Sequence, residues 1–349
     1  MIVVNARFLT QEITGVQRYS MEICRELKKQ DPSIIFVCSK GILHKESAKE
    51  LGAVQFGNMS GHLWEQIELP KYLDTKNTPL LLNLGNTAPL FYKKKISTIH
   101  DIAFEKFPNN FSWKFRSFYK FLIPRIISSS QKIFTVSEFS KNEICKLYKT
   151  PTSKVEVIHN ASSSIFTPKA NTALQEKYIF AASSLTQQKN FAGLIDAFST
   201  LKDKDHLLLL AGSINRNFAS QSLINKIDSN PRIKFLGRVS DSKLVELYSN
   251  AKAFIHPSFY EGFGIPPLEA QACGCPVVCS NIASLPEVCG NSALYFDPYD
   301  TADIANKIDS ILIDPNLSER LVLRGYENIK RFNWHNSATK LLASIKELQ

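Results

Sequence analysis

His256-Pro257-Ser258-Phe259-Tyr260-Glu261-Gly262-Phe263-Gly264-Ile265-Pro266-Pro267-Leu268-Glu269-Ala270 starts at the end of an apolar run, 253–256, and finishes inside a helical pattern. Proline at 267 suits the first turn of a helix, where a missing N–H costs nothing. Gly262 and Gly264 let the backbone turn tightly and come close to a ligand. The segment therefore reads as strand, loop and helix, with the free N–H groups of the helix start forming an anion site. Glu261 lies on the loop, and Glu269 one to two turns down the helix. An ionised carboxylate accepts hydrogen bonds from two neighbouring hydroxyls, which suits a sugar or ribose diol. The same residues also describe an ordinary glycine-rich junction, with a carboxylate answering the helix dipole. The spacing is not a dinucleotide fingerprint, because Gly262-x-Gly264-x-x-Pro267 lacks the third glycine.

Outward from this segment the same unit repeats. Apolar runs at 2–4, 34–38, 80–84, 96–100, 132–136 and 155–158 read as strands, with helical patterns at 15–29, 113–129 and 138–148 between them. The second half continues with strands at 178–182, 207–211, 233–236, 253–256, 277–279 and 293–296, and helices at 191–201, 242–249, 267–272 and 302–312. Strands alternating with helices predict parallel sheets covered on both faces. Two such sets predict two doubly wound, Rossmann-like α/β domains, 1–165 and 166–333. The polar, aperiodic stretch 162–173 is the join. The remaining 334–349 reads as an amphipathic helix packing back on the first domain.

Composition bounds the function. The 349 residues are 44 % hydrophobic and 21 % charged, ordinary values for a globular protein. No apolar run approaches the roughly 20 residues of a membrane span, and no basic segment precedes the first strand. These features predict a cytoplasmic protein. Seven cysteines, an odd number without a CxxC pair, read as small core residues. The net charge of +10 attracts nucleic acid, phospholipid or phosphorylated substrates alike. No helix-turn-helix, zinc-finger or RNA-binding aromatic motif accompanies it, so nucleic acid is not expected as a partner.

Glu261-x7-Glu269, together with Gly274-Cys275-Pro276-Val277-Val278 and Ser284-Leu285-Pro286-Glu287-Val288, resembles the signature of retaining family 4 glycosyltransferases of the GT-B fold. The resemblance extends over nearly the whole chain. It includes Phe235-Leu236-Gly237-Arg238-Val239-Ser240-Asp241 and Leu244, Tyr248 and Ala251. In the first half it includes Gly15-Val16-x-Arg18-Tyr19, His100-Asp101 and Val136-Ser137-Glu138-Phe139-Ser140.

It implies two domains facing across a cleft and a nucleotide-sugar donor as co-substrate, with neither cofactor nor metal. By the same resemblance, Glu269 takes the ribose hydroxyls and Glu261 takes hydroxyls of the transferred sugar. The backbone of Gly262, Phe263, Gly264 and Ile265 lines the sugar and phosphates, with Leu268 beside Glu269. Arg238 and Val239 lie by the base. Lys189 matches the family's phosphate-binding lysine, in a loop where many relatives also carry an arginine; Ser184 and Gln188 stand in this loop here. His100 falls in the cleft near the sugar, and the helix start at Gly15 and Val16 offers amides to the diphosphate. His100, Lys189 and Glu261 are thus the expected catalytic set. The family implies retention, with the acceptor entering on the face of the departing phosphate and a phosphate oxygen taking its proton.

Trp64-Glu65-Gln66-x3-Pro70 and His100-Asp101-x-Ala103-Phe104-x3-Phe107-Pro108 are similar to bacterial mannosyltransferases of surface-polysaccharide assembly. That resemblance suggests GDP-mannose as donor and a saccharide, or a polyprenyl-diphosphate-linked saccharide, as acceptor in the first domain. A UDP-sugar donor and a nucleotide-sugar epimerase of the same fold are the alternatives. Trp113-Lys114-Phe115-Arg116-Ser117-Phe118-Tyr119-Lys120-Phe121, after Lys93-Lys94-Lys95, interleaves cations with aromatics. It reads either as a peripheral contact with the inner face of the cell membrane or as an amphipathic helix with a solvated basic face.

Overall fold

The computed structural model describes residues 1–169, 176–213 and 221–348. The chain divides into two compact units. One comprises Met1–Glu105, Trp113–Asn160 and Asn333–Gln349; the other comprises Lys106–Ser112 and Ala161–Phe332. The division follows Asn160, a few residues before the 165 read from the sequence. The short segment 106–112 joins the second unit, which the sequence does not reveal. Residues 170–173 of the join at 162–173 lie outside the described residues.

The first unit is built on β1 (Ile2–Asn5), β2 (Ile35–Cys38), β3 (Val54–Gln55), β4 (Leu80–Asn83), β5 (Lys95–Thr98), β6 (Lys132–Thr135) and β7 (Val155–Val157), in the order β3-β2-β1-β4-β5-β6-β7. The second is built on β8 (Tyr178–Ala182), β9 (Leu207–Ala211), β10 (Ile233–Phe235), β11 (Phe254–His256), β12 (Val277–Ser280) and β13 (Ala293–Phe296), in the order β10-β9-β8-β11-β12-β13. Each pairing among the described residues is parallel. Parallel strands are covered on both faces, which is why Ile2-Val3-Val4 and Leu80-Leu81-Leu82 are continuous apolar runs rather than alternating ones.

In the second unit Ile179, Leu208, Leu210 and Ile255 pack with Leu194 and Phe198 of helix Phe191–Thr200 and with Ile304 and Ile308 of helix Thr301–Ile313. In the first, Val3, Val37 and Leu81 pack with Trp64, Leu69, Tyr72 and Leu73. Helix Trp334–Lys346 is stitched into the first unit. Trp334 meets the Tyr19 ring edge-on, Gln30 donates to the His335 carbonyl (3.0 Å), and Lys132 donates to Ser344 Oγ (2.6 Å). The cysteines are free thiols, buried except for the half-buried Cys145.

In each sheet the winding reverses beside the first strand: between β1 and β4, and between β8 and β11. At such a reversal, neighbouring strands send their following loops to opposite faces and leave a crevice at their carboxyl ends. Gly212, just after β9, donates its N–H to the Gly237 carbonyl beyond β10 (2.8 Å), at φ +150°. A Cβ there would run into the Ser183 carbonyl beyond β8. One residue without a side chain thus lets three strand ends close together. Gly212→Ala is expected to destabilise the second unit by about 3 kcal/mol. Thermal unfolding beside a glycine control such as Gly15→Ala, where φ is not positive and a Cβ meets nothing, checks this.

Candidate active site

Two loops meet at the β8/β11 reversal. The loop after β8 carries a single 3₁₀ turn, Gln187–Lys189; the loop after β11 is Pro257–Gly264. Gln188 binds them together. It is buried, its side chain donates to the Tyr260 carbonyl (2.8 Å), and its carbonyl accepts from Phe259 N (2.8 Å). Ser284 shares its hydroxyl between the carbonyls of Glu261 (2.9 Å) and Phe263 (2.8 Å), fixing the far side of the loop. Gly264 then takes φ +99° and ψ +63° to start helix Ile265–Ala272, packed so closely on Leu285 that a Cβ would have to displace it.

These ties deliver Glu261 to a buried position among three donors. Its Oε1 accepts from Lys189 Nζ (2.7 Å), His256 Nε2 (2.8 Å) and Ser258 Oγ (2.7 Å); among the described residues its Oε2 accepts from Lys189 alone (2.8 Å). Burial pushes the Glu261 carboxyl up, but the Lys189 ammonium and His256 outweigh it and hold the carboxyl well below the usual carboxylate range. An ammonium has three donors. Lys189 spends two on Glu261 and retains a third. Glu269 is buried in helix Ile265–Ala272, with Tyr248 Oη donating to its Oε2 (3.4 Å).

Of the other expected residues, Ser184 is half-buried in the loop after β8, with its carbonyl accepting from Thr186 N. Arg238 is exposed and Val239 half-buried just beyond β10. Leu268 is fully buried, so its side chain is part of the core. His100, Gly15 and Val16 belong to the first unit. There His100 follows β5 at two residues' distance, its Nε2 within 2.9 Å of the Leu84 carbonyl and its ring edge-on to Tyr19. A carbonyl only accepts, so Nε2 carries the proton and Nδ1 holds the lone pair. Burial pushes this imidazole down to about 4 against the opposing effect of the Leu84 bond, so His100 is neutral at physiological pH. Gly15 opens helix Gly15–Gln30, with Gln17 reaching back to Thr14 N (3.2 Å). Among the described residues, no three His, Cys, Asp or Glu side chains gather as a metal site.

Comparison with known proteins follows this division. Residues 13–161 match the model of Glycosyltransferase Family 4, and residues 164–328 match that of Glycosyl transferases group 1. O-antigen chain mannosyltransferase B of Escherichia coli is 33 % identical, covering 96 % of this chain and 97 % of its own. The chain belongs to glycosyltransferase family 4. O-antigen chain mannosyltransferase RfbU of Salmonella typhimurium is 28 % identical over 95 % of this chain and 99 % of its own. The solved Anabaena protein Alr3699/HepE, in complex with UDP-glucose, superposes with a TM-score of 0.79 at 16 % identity, covering 99 % of each chain, a likeness of fold.

In this family 4 chain the position next to the lysine, where many relatives place an arginine, holds Gln188, which ties two loops together. His256 and Ser258 complete the shell around Glu261, and Tyr248 and Ser284 support Glu269 and the loop. The sequence includes all four in recognisable motifs but does not say which carboxylate or carbonyl each one reaches.

The Glu261 carboxylate is stabilised chiefly by Lys189, so Lys189→Ala is expected to cost about 3 kcal/mol near neutral pH by leaving that charge buried and unpaired. A depressed carboxylate contributes stability above its unfolded value near 4.3 and loses it on acidification. Thermal unfolding of both forms from pH 7 to pH 3.5 should show a gap that is full above about pH 5 and narrows below it. A gap independent of pH would assign the loss to packing.

Proposed function

We propose that this family 4 enzyme transfers mannose from GDP-mannose, with retention, onto a growing saccharide of a surface polysaccharide. The observation that carries the reading is the Lys189–Glu261 pair at the β8/β11 reversal, on the loop that leads into helix Ile265–Ala272, which carries Glu269. The choice of mannose and of polysaccharide assembly rests on the two O-antigen chain mannosyltransferases, similar over nearly their whole lengths.

In this reading, Glu269 accepts the two ribose hydroxyls, and Glu261 Oε2, which carries only one partner, accepts from a hydroxyl of the sugar. The third donor of Lys189 meets the phosphate next to the departing bond, where negative charge grows in the transition state. One ion pair thereby spans both ends of the bond that breaks. The amides of Gly264 and Ile265 and the helix dipole add to the same stabilisation. The acceptor hydroxyl attacks from the side of the leaving group and gives its proton to a phosphate oxygen, so no side-chain nucleophile or metal is invoked. Neutral His100 Nδ1 serves as an acceptor for a sugar hydroxyl.

The acceptor in this reading is linked to a polyprenyl diphosphate and met at the membrane surface. Helix Trp113–Ser129 presents Trp113 (70 % exposed) and Phe121 (51 %), with Lys114 over the Trp113 ring and the Arg125 guanidinium 3.6 Å from the centre of the Phe121 ring. No helix among the described residues is long and apolar enough to cross a membrane. Contact would therefore be peripheral.

GDP at a hundred times its Kd should stabilise the protein by roughly 2.7 kcal/mol, and Glu269→Ala should abolish the shift. Stabilisation by UDP but not GDP would overturn the choice of donor; a shift that survives in Glu269→Ala would overturn the nucleotide assignment. The protein should co-sediment with vesicles containing phosphatidylglycerol and not with pure phosphatidylcholine. Trp113→Ala with Phe121→Ala should abolish that binding, and equal binding to both vesicle types would refute the membrane contact.

A further inference from the structure

The first unit has its own reversal, between β1 and β4, and a buried charge network occupies it. Arg7 lies in the turn after β1, at 8 % exposure. Its Nη2 donates to Thr87 Oγ1 (2.7 Å), and its Nε lies 3.3 Å from Glu65 Oε1. Glu65, at 1 % exposure, also accepts at Oε1 from Asn5 Nδ2 (2.8 Å) and from Thr87 Oγ1 (2.9 Å). Asn5 in turn donates to Asn83 at the end of β4 (3.1 Å). The elements that carry Glu65 and Thr87 are anchored from outside the network. Glu65 projects from a π-helical turn, Trp64–Glu68, whose Trp64 Nε1 donates to the Phe56 carbonyl (2.8 Å). The next residue, Gln66, bonds both Ala88 O (2.9 Å) and Leu90 N (2.8 Å), which fixes the loop that carries Thr87. The Trp64-Glu65-Gln66 motif is thus three consecutive anchors around one guanidinium, and π-helical turns of this kind recur at functional sites.

Arg7 has five N–H donors. Among the described residues, Nη1 has no hydrogen-bond partner. The guanidinium lines a small pocket with Gln11, Val16, Gln17, Gly85 and Thr87, which has room for about one water or hydroxyl. Among the described residues, Glu65 Oε2 meets only His62 Nδ1, at a long 3.4 Å. The network is close to charge-neutral, because Glu65 offsets Arg7. That balance favours an uncharged oxygen over a phosphate.

We propose that this notch receives a hydroxyl of the acceptor saccharide, with Arg7 Nη1 donating to it and with Glu65 and Thr87 as positioning residues that aim the guanidinium. The proposal rests on the glycosyltransferase reading of the second unit and adds to it the place where the first unit grips the acceptor. A planar guanidinium held on two edges is not replaced by an ammonium, which lacks the fork geometry.

The test measures binding of mannobiose to the full chain by saturation-transfer NMR in the presence of GDP, with thermal unfolding and near-UV circular dichroism as checks of folding. Arg7→Lys should weaken mannobiose binding tenfold or more, and Thr87→Val by about threefold, while the GDP-induced shift stays within twofold of wild type in both. Thr87→Ser keeps the hydroxyl and should bind as wild type. Mannobiose binding unchanged in Arg7→Lys overturns the proposal. So does competition by inorganic pyrophosphate that is lost in Arg7→Lys, because it would make the notch an anion site. So does an equal loss of mannobiose binding in Thr87→Ser, because it would mark the loop as merely structural. Failure of the donor reading would register separately, as absence of the GDP shift in wild type.

Discussion

Parallel pairing is the constraint on which the rest of this structure depends. A parallel strand must be followed by a return across one face of its sheet, so the strand carboxyl ends collect along one edge and their loops lie side by side. Where the winding reverses, at β1/β4 and β8/β11, two adjacent loops part, and polar groups at the strand ends lose the cover of a crossing helix. Such groups still require partners, because an unsatisfied buried donor or acceptor costs about 1–3 kcal/mol. Both units meet this requirement in the same way. A buried carboxylate is held by a cation from the neighbouring loop, Lys189 for Glu261 and Arg7 for Glu65.

A buried ion pair is a weak means of stabilisation, since apolar residues of the same volume are often neutral or better. Its presence at both reversals, inside units that otherwise pack isoleucine, leucine and phenylalanine, therefore calls for a reason other than stability. The geometry offers one. In each pair the cation keeps a donor to spare: the third N–H of Lys189 and Nη1 of Arg7. The carboxylate likewise has one oxygen heavily bonded and the other nearly open. Fixed charges with unused valence, held by second contacts from Gln188 and Gln66, are preorganised binding groups.

The sequence displays the framework because both the sheets and their helices follow from apolar periodicity. The runs at 2–4, 80–84 and 207–211 have a single reading, and each is an interior strand of its sheet. β3 escaped because its two residues, Val54 and Gln55, are both exposed at a sheet edge and carry no pattern. Helices Gln221–Asp228 and Pro315–Ile329 carry mixed polar residues whose stripe is narrow, with few buried positions each. The assignment of 106–112 to the second unit is not local information at all. At the site, the sequence names Glu261, Glu269 and Lys189 by motif, and the structure pairs Lys189 with Glu261. Their other partners were less legible. That His256, five residues upstream, returns to Glu261 is a property of the loop's path, and the loop's path depends on Gln188 and Ser284, distant in sequence.

Gln188 shows how a departure from a family pattern is absorbed. An arginine beside the lysine would add a cation at this crevice, but a buried guanidinium would also have to be satisfied there. Here the amide provides what the loops need, a donor to Tyr260 O and an acceptor to Phe259 N through its own carbonyl, without net charge. In the proposed reading, a diphosphate would meet the helix start at Gly264 and the third donor of Lys189. Among the described residues, four hydrogen bonds hold the Glu261 carboxylate, so its orientation is fixed by the loops themselves.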